Sequence, residues 1–353
     1  MQRNDGLQGY KLIFRMLNNL LGDRYRQLNK PQGSSLLHGI YTSAITVIRA
    51  SFYVLASCTL MPGVIADTAP ERVLILHHQA SGFTQQLITQ LQQDLTSQNI
   101  LVDSALHNQS NPQPQVLNDY QLIIAIGSRT SKALLDSNHN GPVLSLLIPK
   151  NLAQGFAQLY PQKTQWHSLL IDQPLERHFH LISALLGKQA NTGLILGKLS
   201  ETLKLEYQTA AKNTGHSLQI ETMQQTDQLA GSIRFLSQRS DVLLMSADPE
   251  IYNKNTIRSI LLSSYRHRLP VIGVSKSLTH AGAIAAIYSE PEQISRQAVK
   301  ISRQILQNKA TEKHYSPDDF SVSLNFQVAR SLGYRFNDEA AIVQSIKAYE
   351  KQQ

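Results

Sequence analysis

From residue 72 onward the chain is built of short, nearly unbroken apolar runs, each followed by a longer stretch where apolar residues return every three or four positions. Val73-Leu74-Ile75-Leu76, Ile100-Leu101-Val102, Leu122-Ile123-Ile124-Ala125-Ile126, residues 143–148 and Ser168-Leu169-Leu170-Ile171 make a first set. Gly193-Leu194-Ile195-Leu196, Leu218-Gln219-Ile220, Val242-Leu243-Leu244-Met245, Val271-Ile272-Gly273-Val274 and residues 283–288 make a second. Runs without polar alternation predict strands whose two faces are both covered, the condition of a parallel sheet between helical layers. The pattern therefore predicts an α/β fold with two doubly wound parallel-sheet lobes.

Between the two sets lies Asp172-Gln173-Pro174. The proline disfavours helical geometry in Gln173 and suits the first turn of a following helix, so this is the expected first crossover between lobes. In that helix Leu175, Phe179, Ile182 and Leu186 fall on one apolar stripe. Ser289-Glu290-Pro291-Glu292 reads as a second crossover, with Ser289 as the helix cap and Glu292 three residues on. A polar turn carrying Pro317, residues 313–319, leads into Phe320-Ser321-Val322-Ser323-Leu324, whose alternation predicts a half-exposed strand. Three crossings make a hinge with a cleft between the lobes. The expected division is an export segment over 1–66, a first lobe over 67–172 plus about 290–312, and a second over 173–289 plus about 313–353.

The amino-terminal 66 residues follow a different rule. Arg49 precedes an apolar run over residues 50–60, then come Met61-Pro62-Gly63 and Val64-Ile65-Ala66. That order is the layout of a secretory signal cut after Ala66. The run is about half the ~20 residues a membrane span needs. Cys58 is the only cysteine, and Leu55-Ala56-Ser57-Cys58 also matches a lipobox, so acylation at Cys58 is the alternative processing. Neither route leaves a cysteine pair, so no disulfide is expected.

Composition adds one correction. The 353 residues are 42% hydrophobic and 16% charged, enough for a sizeable core in two lobes. The net charge is +8, but residues 1–66 carry seven Lys/Arg and two Asp, which leaves +3 for the rest. A weakly basic remainder with no basic stripe interleaved with aromatics gives no reason to invoke nucleic acid.

Candidate chemistry gathers where apolar runs end. Gly127-Ser128-Arg129-Thr130-Ser131 opens a helix after the third run. Free N–H groups there, with the hydroxyls of Ser128 and Thr130, suit a carboxylate; alternatively Ser128 only caps the helix. In Ser246-Ala247-Asp248-Pro249-Glu250-Ile251-Tyr252, Asp248 and Tyr252 suit an ammonium group and a ring or hydroxyl, unless Asp248 merely caps. Gln79, Ser275 and Asn325 complete the expected ligand set. If Asp248 is a ligand contact, Asp248→Ala is expected to abolish most ligand-induced stabilisation while leaving the ligand-free melting temperature little changed. His77-His78 on a strand and His178 with His180 on a helix each point apart, so no metal site is expected. No Gly-x-Ser-x-Gly elbow is present, and neither catalytic residues nor a cofactor are expected.

These segments carry a resemblance. Residues 246–253, Pro270-Val271-Ile272-Gly273-Val274-Ser275 and residues 282–289 resemble the ABC-transporter substrate-binding protein family with the type 1 periplasmic-binding fold. So do Asp172-Gln173-Pro174-Leu175-Glu176-Arg177, Tyr265-Arg266, Pro291-Glu292-Gln293-Ile294 and residues 325–333. The chain is similar to the branch whose streptococcal relatives bind aromatic amino acids. It departs from the pattern after the fourth strand, where Pro149-Lys150-Asn151 stands in place of an Asp-Pro. The resemblance implies a monomeric exported protein of the periplasm, a small polar or zwitterionic ligand held between two lobes, and an ABC permease as membrane partner. A receptor of the same fold that signals to a sensor kinase without transport is the alternative, and an envelope enzyme is a third class.

Overall fold

The computed structural model describes residues 70–78, 82–107 and 114–351, all within one compact unit, Ala69–Gln353. The export segment and Cys58 lie outside the described residues, as does Gln79. No helix of the described residues is long and apolar enough to cross a membrane.

Two six-stranded sheets organise the unit. The first contains β1 (Arg72–His77), β2 (Leu101–Leu106), β3 (Leu122–Ile126), β4 (Val143–Ile148), β5 (Trp166–Leu170) and β11 (His314–Tyr315) in the order β11-β5-β4-β3-β1-β2. The second contains β6 (Thr192–Leu196), β7 (Leu218–Thr222), β8 (Val242–Leu244), β9 (Val271–Gly273), β10 (Ala285–Tyr288) and β12 (Ser321–Leu324) in the order β12-β10-β9-β8-β6-β7. Stripped of their outer strands, both read 2-1-3-4-5, the doubly wound order. Every pairing is parallel except β12 against β10.

The apolar runs owe their continuity to this burial. β3, β5 and β6 are buried at every residue, and so are β8, β9 and β10. The edge strands β2 and β7 carry the polar residues: Asp103 and Ser104 in one, Gln219 and Glu221 in the other. β4 holds one irregularity. Its register against β5 slips between Leu146 and Ile148, and Leu147 between them takes a left-handed φ of 60°. This is a β-bulge, one residue inserted immediately before the loop that leaves the sheet.

Each lobe has its own core. In the first, Val73, Leu87, Leu91, Ile124 and Leu144 pack with Ala298 and Ile301 of the helix Pro291–Leu306, which returns to this lobe after the second crossover. In the second, Phe179, Leu194, Tyr207 and Ile287 pack with Ile342 and Ile346 of the helix Glu339–Glu350.

Three expectations change. The helix after the second crossover is capped at Glu290, not Ser289: Glu290 N–H donates to Gln293 Oε1 at 2.8 Å, and Ser289 Oγ donates instead to the Asp319 carbonyl at 2.8 Å. His314 and Tyr315 extend the first sheet, so the third crossing comes after Tyr315 rather than near residue 312. The strand 321–324 is buried at three of its four residues because both its faces are covered: Val322 and Leu324 pack with Ile342 and Ile346, and on the polar face Ser323 shares a hydrogen bond with Thr279 Oγ1 of the helix Lys276–Ala281.

Candidate functional site

In a doubly wound sheet, ligands lie outside the carboxyl ends of the strands, at the point where strand order reverses. The reversal falls between β1 and β3 in the first lobe and between β6 and β8 in the second. The loops there are His77-His78 and Gly127-Ser128 on one side, and Gly197 to Ser200 and Ser246 to Asp248 on the other. The two lobes touch one strand along from the first-lobe reversal. Lys150, after β4, forms an ion pair with Glu206, after β6, and Gln154 Nε2 also reaches Glu206 at 3.4 Å.

The first-lobe wall is a helix start. Gly127 caps the helix Ser128–Asp136 with φ 87°, a left-handed value that favours glycine, so Ser128 is the first helical residue and not the cap. Its partly exposed side chain sits among N–H groups with no partner inside the helix. Thr130 is fully buried, and its Oγ1 has no hydrogen-bond partner. Arg129 Nη1 donates to His78 Nε2 at 2.8 Å, and His78 Nδ1 faces the His107 carbonyl at 3.4 Å. That arrangement selects the neutral Nδ1–H tautomer of His78.

The second-lobe wall turns on Asp248, which is only 1% exposed. Its Oδ2 accepts from Ser200 Oγ and its Oδ1 from Glu250 N–H at 2.9 Å, so one carboxylate joins the loops after β6 and β8. A Cβ on Gly197 would stand 2.9 Å from Asp248 Oδ2, which is why this loop needs glycine. Beside it the Tyr252 hydroxyl is buried with no hydrogen-bond partner. Burial, and then the Asp248 carboxylate, push that phenol far above its ordinary value. Tyr207 is raised likewise, by burial first and then by Asp172, Tyr252, Glu206 and Asp248. Ser275 precedes the helix Lys276–Ala281, its Oγ 3.0 Å from Ser277 Oγ, and Lys276 pairs with Glu290 at 3.3 Å.

Asn325 is placed elsewhere. Because β12 runs antiparallel to β10, its end lies at the amino ends of the parallel strands, where Asn325 N–H donates to the Ile284 carbonyl. The Asn325 side chain accepts from Gln327 and Val328 N–H and donates to the Thr279 carbonyl at 2.7 Å, so it caps a helix on the side away from the cleft. Of the second histidine pair, His180 stacks on Tyr349 at 4.8 Å, and His178 is buried and pushed down to about 4 by that burial.

Sequence reasoning missed the floor of this region. Asp172 Oδ2 accepts the Lys150 N–H at 2.7 Å, and burial raises its carboxyl from an ordinary 3.8 to about 6 against the lowering effect of that bond. The signal was present as an acid immediately before the Gln-Pro of a crossover, together with the Lys150 departure. The raised carboxyl binds its proton more tightly in the folded chain than in the unfolded one. Its contribution to stability is therefore full below pH 3.8 and is lost as pH rises toward 6. Asp172→Asn, which keeps an acceptor for Lys150 N–H, is expected to stabilise the protein by about 2 kcal/mol at pH 7 and by nothing measurable at pH 4, as urea unfolding at the two pH values will show.

The sequence model for proteins described as ABC transporter substrate binding protein matches residues 79–347. No curated protein matches the sequence. Among solved structures, the fold is similar to the ligand-free, open form of a substrate-binding protein with adhesive properties from Clostridium difficile: TM-score 0.59, 15% identity, 76% of this chain and 96% of that one covered. An ABC domain in complex with L-Trp from Streptococcus pneumoniae gives TM-score 0.56 at 15% identity over 78% of this chain and 98% of that one. A conserved domain protein from Vibrio cholerae gives TM-score 0.56 at 17% identity over the same shares.

Proposed function

Because this chain belongs to the ABC transporter substrate binding protein family and has the type 1 periplasmic-binding fold, we infer that it is an exported binding protein that closes two lobes on a small zwitterionic solute. The observation that carries this reading is the pairing of two reversal points, one per lobe, beside the contact of Lys150 with Glu206. The helix start at Ser128, with the Arg129 guanidinium beside it, suits the carboxylate of an amino acid. Across from it, the Asp172 carboxylate on the floor and Glu206 suit an ammonium group, and the unpartnered phenol of Tyr252 suits a hydrogen-bonding or aromatic side chain. That a similar structure holds L-Trp supports an amino acid as cargo.

On this reading Gln79, Ser128, Thr130, Tyr252 and Ser275 face the solute, and Asp248 acts by fixing the loop that carries Tyr252. The membrane partner is an ABC permease, which accepts the solute from the closed form. Closure follows from higher affinity of the closed state for ligand, with no chemical step.

Native mass spectrometry of the protein isolated from its own cell envelope tests this. The expected result is one amino-acid-sized molecule per chain, released and identified after denaturation. If the isolated protein is empty, and none of the twenty amino acids at 1 mM raises its melting temperature, the zwitterion reading falls.

A further inference from the structure

The hinge contains a charge that no ligand reading uses. Arg177, two residues into the helix Leu175–Leu186, is 6% exposed. Its Nη1 donates to Gln173 Oε1 at 2.9 Å in the first crossover and to the Pro317 carbonyl at 2.8 Å in the third. Its Nη2 donates to the Asp318 carbonyl at 3.1 Å, its Nε pairs with Glu350, and the guanidinium lies 4.7 Å over the Phe320 ring. Gln173 then donates through Nε2 to Ser289 Oγ at 2.8 Å in the second crossover, and Ser289 donates to the Asp319 carbonyl in the third.

The third crossover is held from the first lobe as well. Gln297 Nε2 donates to the Ser316 carbonyl at 2.8 Å, Gln297 Oε1 accepts the Asp318 N–H at 2.9 Å, and Gln293 Nε2 reaches the Phe320 carbonyl at 3.1 Å. Residues 316–320 are thus gripped by a first-lobe helix on one side and by a second-lobe arginine on the other. A groove of about 720 Å³ runs beside them, lined by Arg177, Lys300 and His314 among others. Each of these three already has a protein partner, Lys300 at Asp318 and His314 at Ser168, so the groove reads as the outer face of the joint and not as a second ligand site.

We propose that Arg177 is the positioning residue of the hinge: one buried guanidinium links all three crossovers and sets the angle between the lobes before ligand arrives. The proposal rests on the closing-lobe reading of the fold. A planar fork with fixed donors is suited to this, because a rotation of one lobe moves several acceptors out of line at once. Lysine keeps the charge but not the fork.

The test uses the full-length ligand-free chain carrying Cys58→Ser, with spin labels on cysteines placed at the exposed Gln93 in the first lobe and Lys212 in the second. Pulsed electron-paramagnetic-resonance distances are expected to give one narrow distribution, which Arg177→Lys widens at least twofold with the circular dichroism unchanged. Ser289→Ala leaves Arg177 in place and cuts the link to the second crossover; it is expected to widen the distribution as well, by a smaller factor. Unchanged widths in both folded variants overturn the proposal, and so does a lowered melting temperature without widening. No solute takes part in the measurement, so an empty cleft would sink the ligand reading and leave this result standing.

Discussion

Asp248→Ala is expected to cost the ligand-free protein about 2–3 kcal/mol, a fall of roughly 4–12 °C in the melting temperature of the second lobe. The sequence alone suggests the opposite, a surface contact whose loss is felt only when ligand is present. Burial decides the matter. The carboxylate is 1% exposed and accepts from Ser200 Oγ and from Glu250 N–H, so alanine leaves the buried hydroxyl only the Gly197 carbonyl at 3.5 Å and the amide proton no acceptor. Each such loss costs about 1–3 kcal/mol, offset in part by release of the buried charge. Asp248→Asn keeps an acceptor for Glu250 and is expected to lose less than half as much. Thermal melting of both variants without ligand settles the point: an unchanged melting temperature for alanine would show that the carboxylate is not what joins the loops after β6 and β8.

Phe179→Ala is expected to cost more, about 3–5 kcal/mol. Phe179 is fully buried among Leu194, Tyr207 and Ile287, and its ring lies 5.3 Å from that of His216. A helix pinned by the apolar stripe and by the helix Glu339–Glu350 cannot collapse into the space a benzyl group leaves, so most of the cavity persists. The first-lobe core shares none of these residues. Calorimetry is therefore expected to split into two transitions, with the second lobe melting first and the first lobe near its original temperature. A single transition shifted as a whole would mean that the crossovers bind the lobes into one cooperative unit.

What could be read from the sequence was whatever depends on burial of both sheet faces. Residues 122–126 were readable to the residue because no polar position interrupts them, 143–148 because Ser145 alone does, and Asp172-Gln173-Pro174 because proline fixes the geometry of its neighbourhood. β11 was not readable: a two-residue strand inside a polar turn has no periodicity to show. The direction of β12 was hidden for a related reason, since alternation is the same whichever way a strand runs, so the sequence did not say at which end of the sheet Asn325 lies. Ser128 and Asp248 could be placed near strand ends, yet the partner of Asp248 could not, because Ser200 comes from a short turn with no motif of its own. Arg177 was invisible. An arginine one turn into an amphipathic helix looks like a solvated charge until Glu350 and the 317–318 carbonyls close over it.

The bulge at Leu147 reaches beyond its own strand. β4 carries one residue more than β5 needs between Leu146 and Ile148, so everything after it in the loop at Pro149-Lys150-Asn151 is displaced by one count from an unbulged relative. Residue-by-residue transfer of ligand contacts from such a relative would assign to Lys150 the role of its neighbour. An alignment with a relative that lacks the bulge is correct here only if it opens a gap at Leu147, and a site inventory drawn through that gap will compare like with like.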